Sequence, residues 1–185
     1  PILYCGFRVT CGQESTGDLW CWGAVGTAGF GNGSADQTLS SLPVRAATGS
    51  KFASLSIAYD FACGTLLDGT VVCWGANGSG QLGDGTTTAR YTPAPVAGMP
   101  KASTVVTGQQ SSCALAVGGT VYCWGANDEG QLGDGSRVPR LTPVPVQGIS
   151  AASGLSGGNS HSCALVSGAP WCWGSDRGGE LGHDT

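Results

Sequence analysis

Nine cysteines stand in this chain of 185 residues, and eight of them form four pairs: Cys11/Cys21, Cys63/Cys73, Cys113/Cys123 and Cys163/Cys172, separated by 10, 10, 10 and 9 positions. Thiols spaced in this way could stay buried and free, share a zinc ion or join as disulfides. Zinc sites ask for closer C-x₂₋₄-C pairs, and two cysteines facing each other in one hairpin supply only two of the four ligands.

The intervening residues favour the third chemistry. In "CGTLLDGTVVC" a three-residue loop, Leu67-Asp68-Gly69, with glycine in the left-handed position of a G1 bulge, sets Leu66 opposite Thr70 and so Cys63 opposite Cys73. Gly17 and Gly119 occupy the same loop position. Counting back from the hydrogen-bonded closing pair puts the two cysteines at a non-hydrogen-bonded site. Opposed Cα atoms there lie about 4.5 Å apart, a span that a disulfide bridges. The fourth copy is one residue shorter, and a two-residue loop, Ser167-Gly168, returns Cys163 to a place opposite Cys172. Loop length and cysteine spacing therefore change together within one chain. Buried free thiols and zinc remain the competing readings at this point.

Disulfides at this density belong to an oxidising compartment, so the expected location is extracellular or at the cell surface, with the periplasm as the bacterial equivalent. Cys5 is left over. It is expected either as a buried thiol or as the link to a cysteine outside this chain.

Other chemistry-bearing motifs carry less. "GSGQLG" (Gly78 to Gly83) fits G-x-G-x-x-G, but no helix is expected after it to hold a pyrophosphate. "GLSGG" (Gly154 to Gly158) fits G-x-S-x-G, yet Ser156 falls on an expected inner strand without a strand-to-helix elbow. His161 and His183 are the two histidines, and His161 reads as a packed side chain with no carboxylate placed behind it. Asp84, Asp128 and Asp134 lack the ligand spacing of an EF-hand, and turn formation accounts for them. No catalytic, cofactor-binding or metal-binding residue is assigned, and a non-enzymatic protein is expected. Asn32 and Asn77 begin N-G-S sequons, and glycan attachment at either is an expectation for a eukaryotic secreted chain.

The elements that position the cysteines repeat with them. The second members of the pairs recur 52, 50 and 49 positions apart, a period proper to propeller blades or solenoid units. The repeats divide the chain at 1–50, 51–101, 102–150 and 151–185, the last without its outer strand. Each unit reads as an inner strand ("KFASLSIA", "ASTVVTG"), a strand through each cysteine, a loop of the "ANDEGQLGDG" type and an outer strand ("TPAPV", "TPVPV"). Proline is tolerated best on such an exposed edge. Four short antiparallel strands in sequence make a blade, so the fold class is all-β, a β-propeller with about three and a half blades. Thirty-three glycines, nine prolines and 11% charged residues agree with many short strands joined by tight turns.

Trp22, Trp74, Trp124 and Trp173 each follow the second cysteine of a pair directly. Strand alternation sends them to the face opposite the sulfurs, where they are expected to pack one blade on the next. A net charge of −4 with scattered basic residues offers no footprint for nucleic acid. No run of 18 apolar residues could span a bilayer, and "PILYCGFRVT" reads as a mature or internal segment.

The stretches "SCALAVGGTVYCWGANDEGQLGDG" and "FACGTLLDGTVVCWGANGSGQLGDG" resemble repeats of the regulator-of-chromosome-condensation family. The likeness spans nearly the whole chain, close in copies two and three, looser in copy four ("ELGHD") and loosest in copy one ("GFGNG", Gly29 to Gly33). It implies a β-propeller, seven-bladed when complete; this chain would supply three units and an incomplete fourth, as part of a longer chain, as a partial propeller completed by another, or as an open stack. The "CWG" version resembles the secreted branch, which includes bacterial surface repeat proteins and the ectodomains of Crinkly-type plant receptor kinases. The founding member promotes nucleotide exchange on a GTPase, but no loop insertion here matches its wedge, and no exchange residue is carried over.

The reading that follows is a disulfide-stapled, non-enzymatic module for extracellular protein–protein interaction or adhesion. Its partner would be another protein or further copies or blades of the same one. The competing readings are a structural subunit of an extracellular filament or sheath, and a propeller-scaffold enzyme or exchange factor. Counting reactive thiols in the denatured, unreduced chain is expected to give one. A count of nine would remove both the staples and the secreted assignment.

Overall fold

The computed structural model describes residues 2–24, 30–34, 39–46 and 51–182. Fifteen strands and no helix appear among them. Four antiparallel sheets follow one another along the chain, each in simple sequence order. The first holds β1 (Ile2–Cys5), β2 (Val9–Gln13), β3 (Leu19–Ala24) and β4 (Leu39–Arg45). The second holds β5 (Phe52–Ile57), β6 (Phe61–Leu66), β7 (Val71–Gly75) and β8 (Arg90–Pro95). The third holds β9 (Ala102–Thr107), β10 (Ser111–Ala116), β11 (Val121–Gly125) and β12 (Arg140–Pro145). The fourth has three strands, β13 (Ala152–Gly157), β14 (His161–Val166) and β15 (Ala169–Gly174). These are three and a half blades of a propeller.

Register follows from the turns. Leu66 N–H donates to Thr70 O at 2.8 Å, Gly69 N–H donates to Leu66 O at 2.9 Å, and Gly69 takes φ +84°. Glycine bears that left-handed angle at no steric cost. Cys63 consequently faces Cys73, as Cys11 faces Cys21 and Cys113 faces Cys123. In the fourth sheet Ser167 and Gly168 both adopt positive φ, 52° and 82°, as a two-residue primed turn requires. Val166 then faces Ala169, Leu165 faces Pro170 and Cys163 faces Cys172. All four pairs are disulfides with Cα atoms 4.1 Å apart.

The fourth strand of each complete sheet bulges against the third. Pairing jumps from Cys21↔Val44 to Gly23↔Ser40, from Cys73↔Ala94 to Gly75↔Arg90 and from Cys123↔Val144 to Gly125↔Arg140. Pro43, Pro93 and Pro143 lie in the looped-out stretches, where the ladder asks for no N–H.

Three apolar cores hold the sheets together, one between each consecutive pair. The first joins Cys11 and Cys21 to Trp74, the second joins Cys63 and Cys73 to Trp124, and the third joins Cys113 and Cys123 to Trp173. Every interface therefore sets the disulfide face of one blade against the tryptophan face of the next. Trp124 is fully buried, and its indole N–H donates to Gln81 O in the preceding blade at 2.9 Å; Trp173 donates likewise to Gln131 O at 3.1 Å. Ser112 Oγ lies 3.6 Å from Cys63 Sγ, and Ser162 Oγ lies 3.8 Å from Cys113 Sγ. The indole sits so close to the preceding loop that a Cβ on Gly83 would stand 2.7 Å from Trp124 Nε1. Backbone bonds add to the seam, with Ala102 N–H donating to Gly69 O at 2.8 Å and Ala152 N–H to Gly119 O at 2.9 Å.

Trp22 is only half-buried. It borders a cavity of about 350 Å³ with Ile2, Leu3 and Trp20 on the outward face of the first blade. Burying an indole removes roughly 150–250 Å² from water, worth about 4–6 kcal/mol gross at ~25 cal/mol/Å². Trp124→Ala is therefore expected to destabilise the chain by about 3–5 kcal/mol, and Trp22→Ala by clearly less. Denaturant unfolding with the disulfides intact measures both, and equal losses would contradict the interface described here.

Candidate functional site

The long loop after the third strand has almost no hydrophobic content, so polar groups must fix its shape. In the second blade Asn77 does this from a buried position, 1% exposed. Its Oδ1 accepts from Leu82 N–H at 3.0 Å, and its Nδ2 donates toward Thr86 O at 3.0 Å, Thr88 O at 3.1 Å and Asp84 Oδ1 at 3.2 Å. Asn127 repeats the set in the third blade with Leu132, Ser136, Val138 and Asp134. In the fourth, Asp176 keeps the acceptor half, taking Leu181 N–H at 2.9 Å. Gln81 and Gln131 close the same loops by accepting from Ser79 and Glu129 N–H at 2.9 and 2.8 Å. Their main-chain oxygens remain to receive the next blade's tryptophan.

Asn77, one of the two sequon asparagines, is buried, and a glycan there would fall on a nitrogen whose N–H groups the loop already uses. Asn77 is a loop hub. Asn32 is exposed, with its Oδ1 accepting from Ser34 N–H at 3.1 Å. Cys5 is exposed on β1, which removes the buried-thiol reading for it.

The motifs without an assigned chemistry are also placed. "GSGQLG" is the Asn77 loop and no helix follows it. Ser156 stands opposite Cys163 in the sheet. His161 is half-buried beside Gly158 and borders a cavity of about 450 Å³ with Asp128, Glu129, Arg177 and Glu180. Arg177 is paired there with Glu129. Asp84 and Asp134 are engaged by Arg90 and Arg140. Among the described residues no group of three or more His, Cys, Asp or Glu could hold a metal ion. His183 and Gly29 lie outside the described residues.

A feature without a motif stands on the face where the first and second strands of each sheet connect. Gly6, Ala58, Gly108 and Gly158 N–H donate to Val9, Phe61, Ser111 and His161 O at 2.8–2.9 Å, closing four equivalent turns. One residue later each turn reaches its tip, at Phe7, Tyr59, Gln109 and Asn159. All four tips are exposed. Phe7 is 78% and Tyr59 43% exposed, and the rings meet edge to face with centroids 5.7 Å apart at 72°. Below them opens a cavity of about 790 Å³, bordered also by Asp60, Ser79 and Gln110. The turns are made by the backbone alone, so folding does not dictate these side chains. Loops on a rigid scaffold are where recognition concentrates. Nothing in strand periodicity pointed to these positions. Aligning the four turns by their cysteines would have exposed the Phe-Tyr-Gln-Asn series.

Comparison with known proteins follows from this geometry. A family model described as the regulator of chromosome condensation (RCC1) repeat matches residues 68–115 and 118–165, and a second of the same description matches 52–81 and 102–131. The chain is 32% identical over 95 residues to the human E3 ubiquitin-protein ligase HERC2, which covers 51% of this chain and 2% of that protein. Among solved structures it superposes on human WBSCR16 with a TM-score of 0.83 at 21% identity, covering 98% of this chain and 49% of that one. Prp20p from Saccharomyces cerevisiae gives 0.83 at 22% identity, with 98% and 46% covered. The CRINKLY ectodomain of the Arabidopsis thaliana receptor kinase ACR4 gives 0.55 at 23%, with 93% and 49% covered. The chain spans about half the length of these solved structures and a small fraction of the ligase.

The loop carboxylates set an acid limit on stability. Burial pushes the Asp84 and Asp134 carboxyls up, but hydrogen bonds from Arg90, Thr86 and Asn77 to the first, and from Ser136, Arg140 and Asn127 to the second, outweigh it and hold both at about 2, against an ordinary 3.8. A carboxylate lowered on folding contributes stability that is present above its unfolded pKa and lost as pH falls through the folded one. The melting temperature is therefore expected to fall between about pH 4 and pH 2, where these groups protonate. The Asp84→Asn/Asp134→Asn double variant should start lower and show a shallower fall. An equal slope in both proteins would locate the acid sensitivity elsewhere.

Proposed function

Because the chain belongs to the regulator of chromosome condensation repeat family, whose structural relatives are β-propellers, we propose that it is a non-enzymatic recognition module working outside the reducing cytosol. It binds its partner, a protein or glycoprotein, on the face of the four turn tips. The observation that carries this reading is the exposed Phe7–Tyr59 pair over a cavity of about 790 Å³, because large aromatics that the fold does not need are the usual anchors of binding surfaces. Two further facts support it. Relatives of the same fold engage proteins: Prp20p of Saccharomyces cerevisiae binds Gsp1p and histones, and yeast RCC1 (Prp20) is bound by Kap60. Four disulfides, three of them buried in the cores, suit an oxidising compartment.

The reading is tested by immobilising the chain and its Phe7→Ala/Tyr59→Ala variant and exposing both to the secreted and surface fraction of the source cells. Proteins or glycoproteins kept by the first and lost from the second, at an unchanged melting temperature, are the expected result. Equal retention by the two would refute it.

A further inference from the structure

Four copies of one turn present Phe7, Tyr59, Gln109 and Asn159 side by side, and the chemistry changes along the arc from two aromatic rings to two amides. The arrangement is fixed rather than loose. Gln109 N–H donates to Asn159 O at 2.8 Å, tying neighbouring tips together, and Ser79 Oγ donates to Gln110 Oε1 at 3.4 Å at the border of the cavity. Among the described residues around the cavity only Asp60 carries a charge, and neither Lys nor Arg is among them. Gly78, Gly108, Gly157 and Gly158 contribute bare backbone.

We propose that this cavity is a glycan site that takes a neutral oligosaccharide. The proposal rests on the recognition reading for its location and names the ligand class. A sugar ring has an apolar C–H face, which suits the electron-rich face of Tyr59 or Phe7. The perpendicular arrangement of the two rings gives one a platform orientation and the other that of a side wall. Sugar hydroxyls both donate and accept, and a side-chain amide offers a donor and an acceptor in one plane, which Gln109, Gln110 and Asn159 supply. A polyanion would need basic side chains. A peptide is the competing occupant; Phe7, Tyr59 and Asp60 would serve its side chains too, but Gly78, Gly108, Gly157 and Gly158 offer it only bare backbone. The opposite rim shows the contrast, with exposed Leu67 and Val117 and the Asp68–Lys101 ion pair at the hairpin tips.

The whole 185-residue chain is tested with cellotriose, chitotriose, maltotriose and mannotriose, and with a pool of uncharged heptapeptides, by ligand-observed saturation-transfer NMR followed by titration. At least one trisaccharide is expected to bind in the millimolar range or tighter. Tyr59→Ala or Phe7→Ala should weaken it roughly tenfold, Gln109→Ala should weaken it measurably, and Leu67→Ala on the far rim should leave it unchanged. The turns are closed by backbone bonds, so the variants should melt with the parent. Absence of binding by all four sugars at about 10 mM, binding indifferent to Tyr59→Ala and Phe7→Ala, or binding of peptides alone would each overturn the glycan assignment. The last outcome, or retention of a non-glycosylated protein in the capture experiment, would leave the recognition reading standing while the ligand class falls.

Discussion

The architecture depends on one registration. Two cysteines meet across neighbouring strands at a non-hydrogen-bonded pair, with Cα atoms 4.1 Å apart in all four sheets. Side chains alternate along a strand, so this placement commits one face of the sheet to sulfur and sends the next residue, tryptophan, to the other. A one-residue slip would exchange the faces of the whole strand. With register fixed, each blade acquires two unlike surfaces, and the stack has a direction: sulfur receives indole, three times over. The cysteine cross-links lie inside single hairpins, while contact between blades is entirely non-covalent.

The loop that receives each tryptophan solves a second problem. It must offer a main-chain oxygen at a fixed point without a hydrophobic core of its own. A buried amide does this by spending both ends on the loop backbone, as Asn77 and Asn127 do, and burying an amide is tolerable only when its bonds are made. Arg90 and Arg140 then cover the carboxylates that face those amides. A short polar network thus sets the position of Gln81 O and Gln131 O, and through them the indoles.

Much of this was legible in the residues. The shorter fourth loop at Ser167-Gly168 compensates for the shorter cysteine spacing, a covariation that the register Cys163↔Cys172 explains. The tryptophan face followed from strand alternation. What could not be read was whatever lacks periodicity. Asn77 presents the pattern of a glycosylation sequon and of an ordinary turn, and only burial separates these from a structural hub. Its recurrence as Asn127 and Asp176, each five residues before a leucine, was the available signal. The tips Phe7, Tyr59, Gln109 and Asn159 sit in turns that any residue could occupy, so their importance rests on space and exposure. Cys5 shares a strand position with Ile57 and Thr107, and its exposure on β1 depends on what packs around it.

The placement of the cross-links within hairpins has a mechanical consequence. Tension applied along the polypeptide passes from sulfur to sulfur and bypasses the residues between the two cysteines, so each staple withholds roughly 30 Å of contour length from extension. Under load the blades would peel apart at their indole seams, one after another, while every hairpin kept its shape. Such a chain would lengthen in discrete steps, and the stapled hairpins that survive would be ready-made templates for its reassembly.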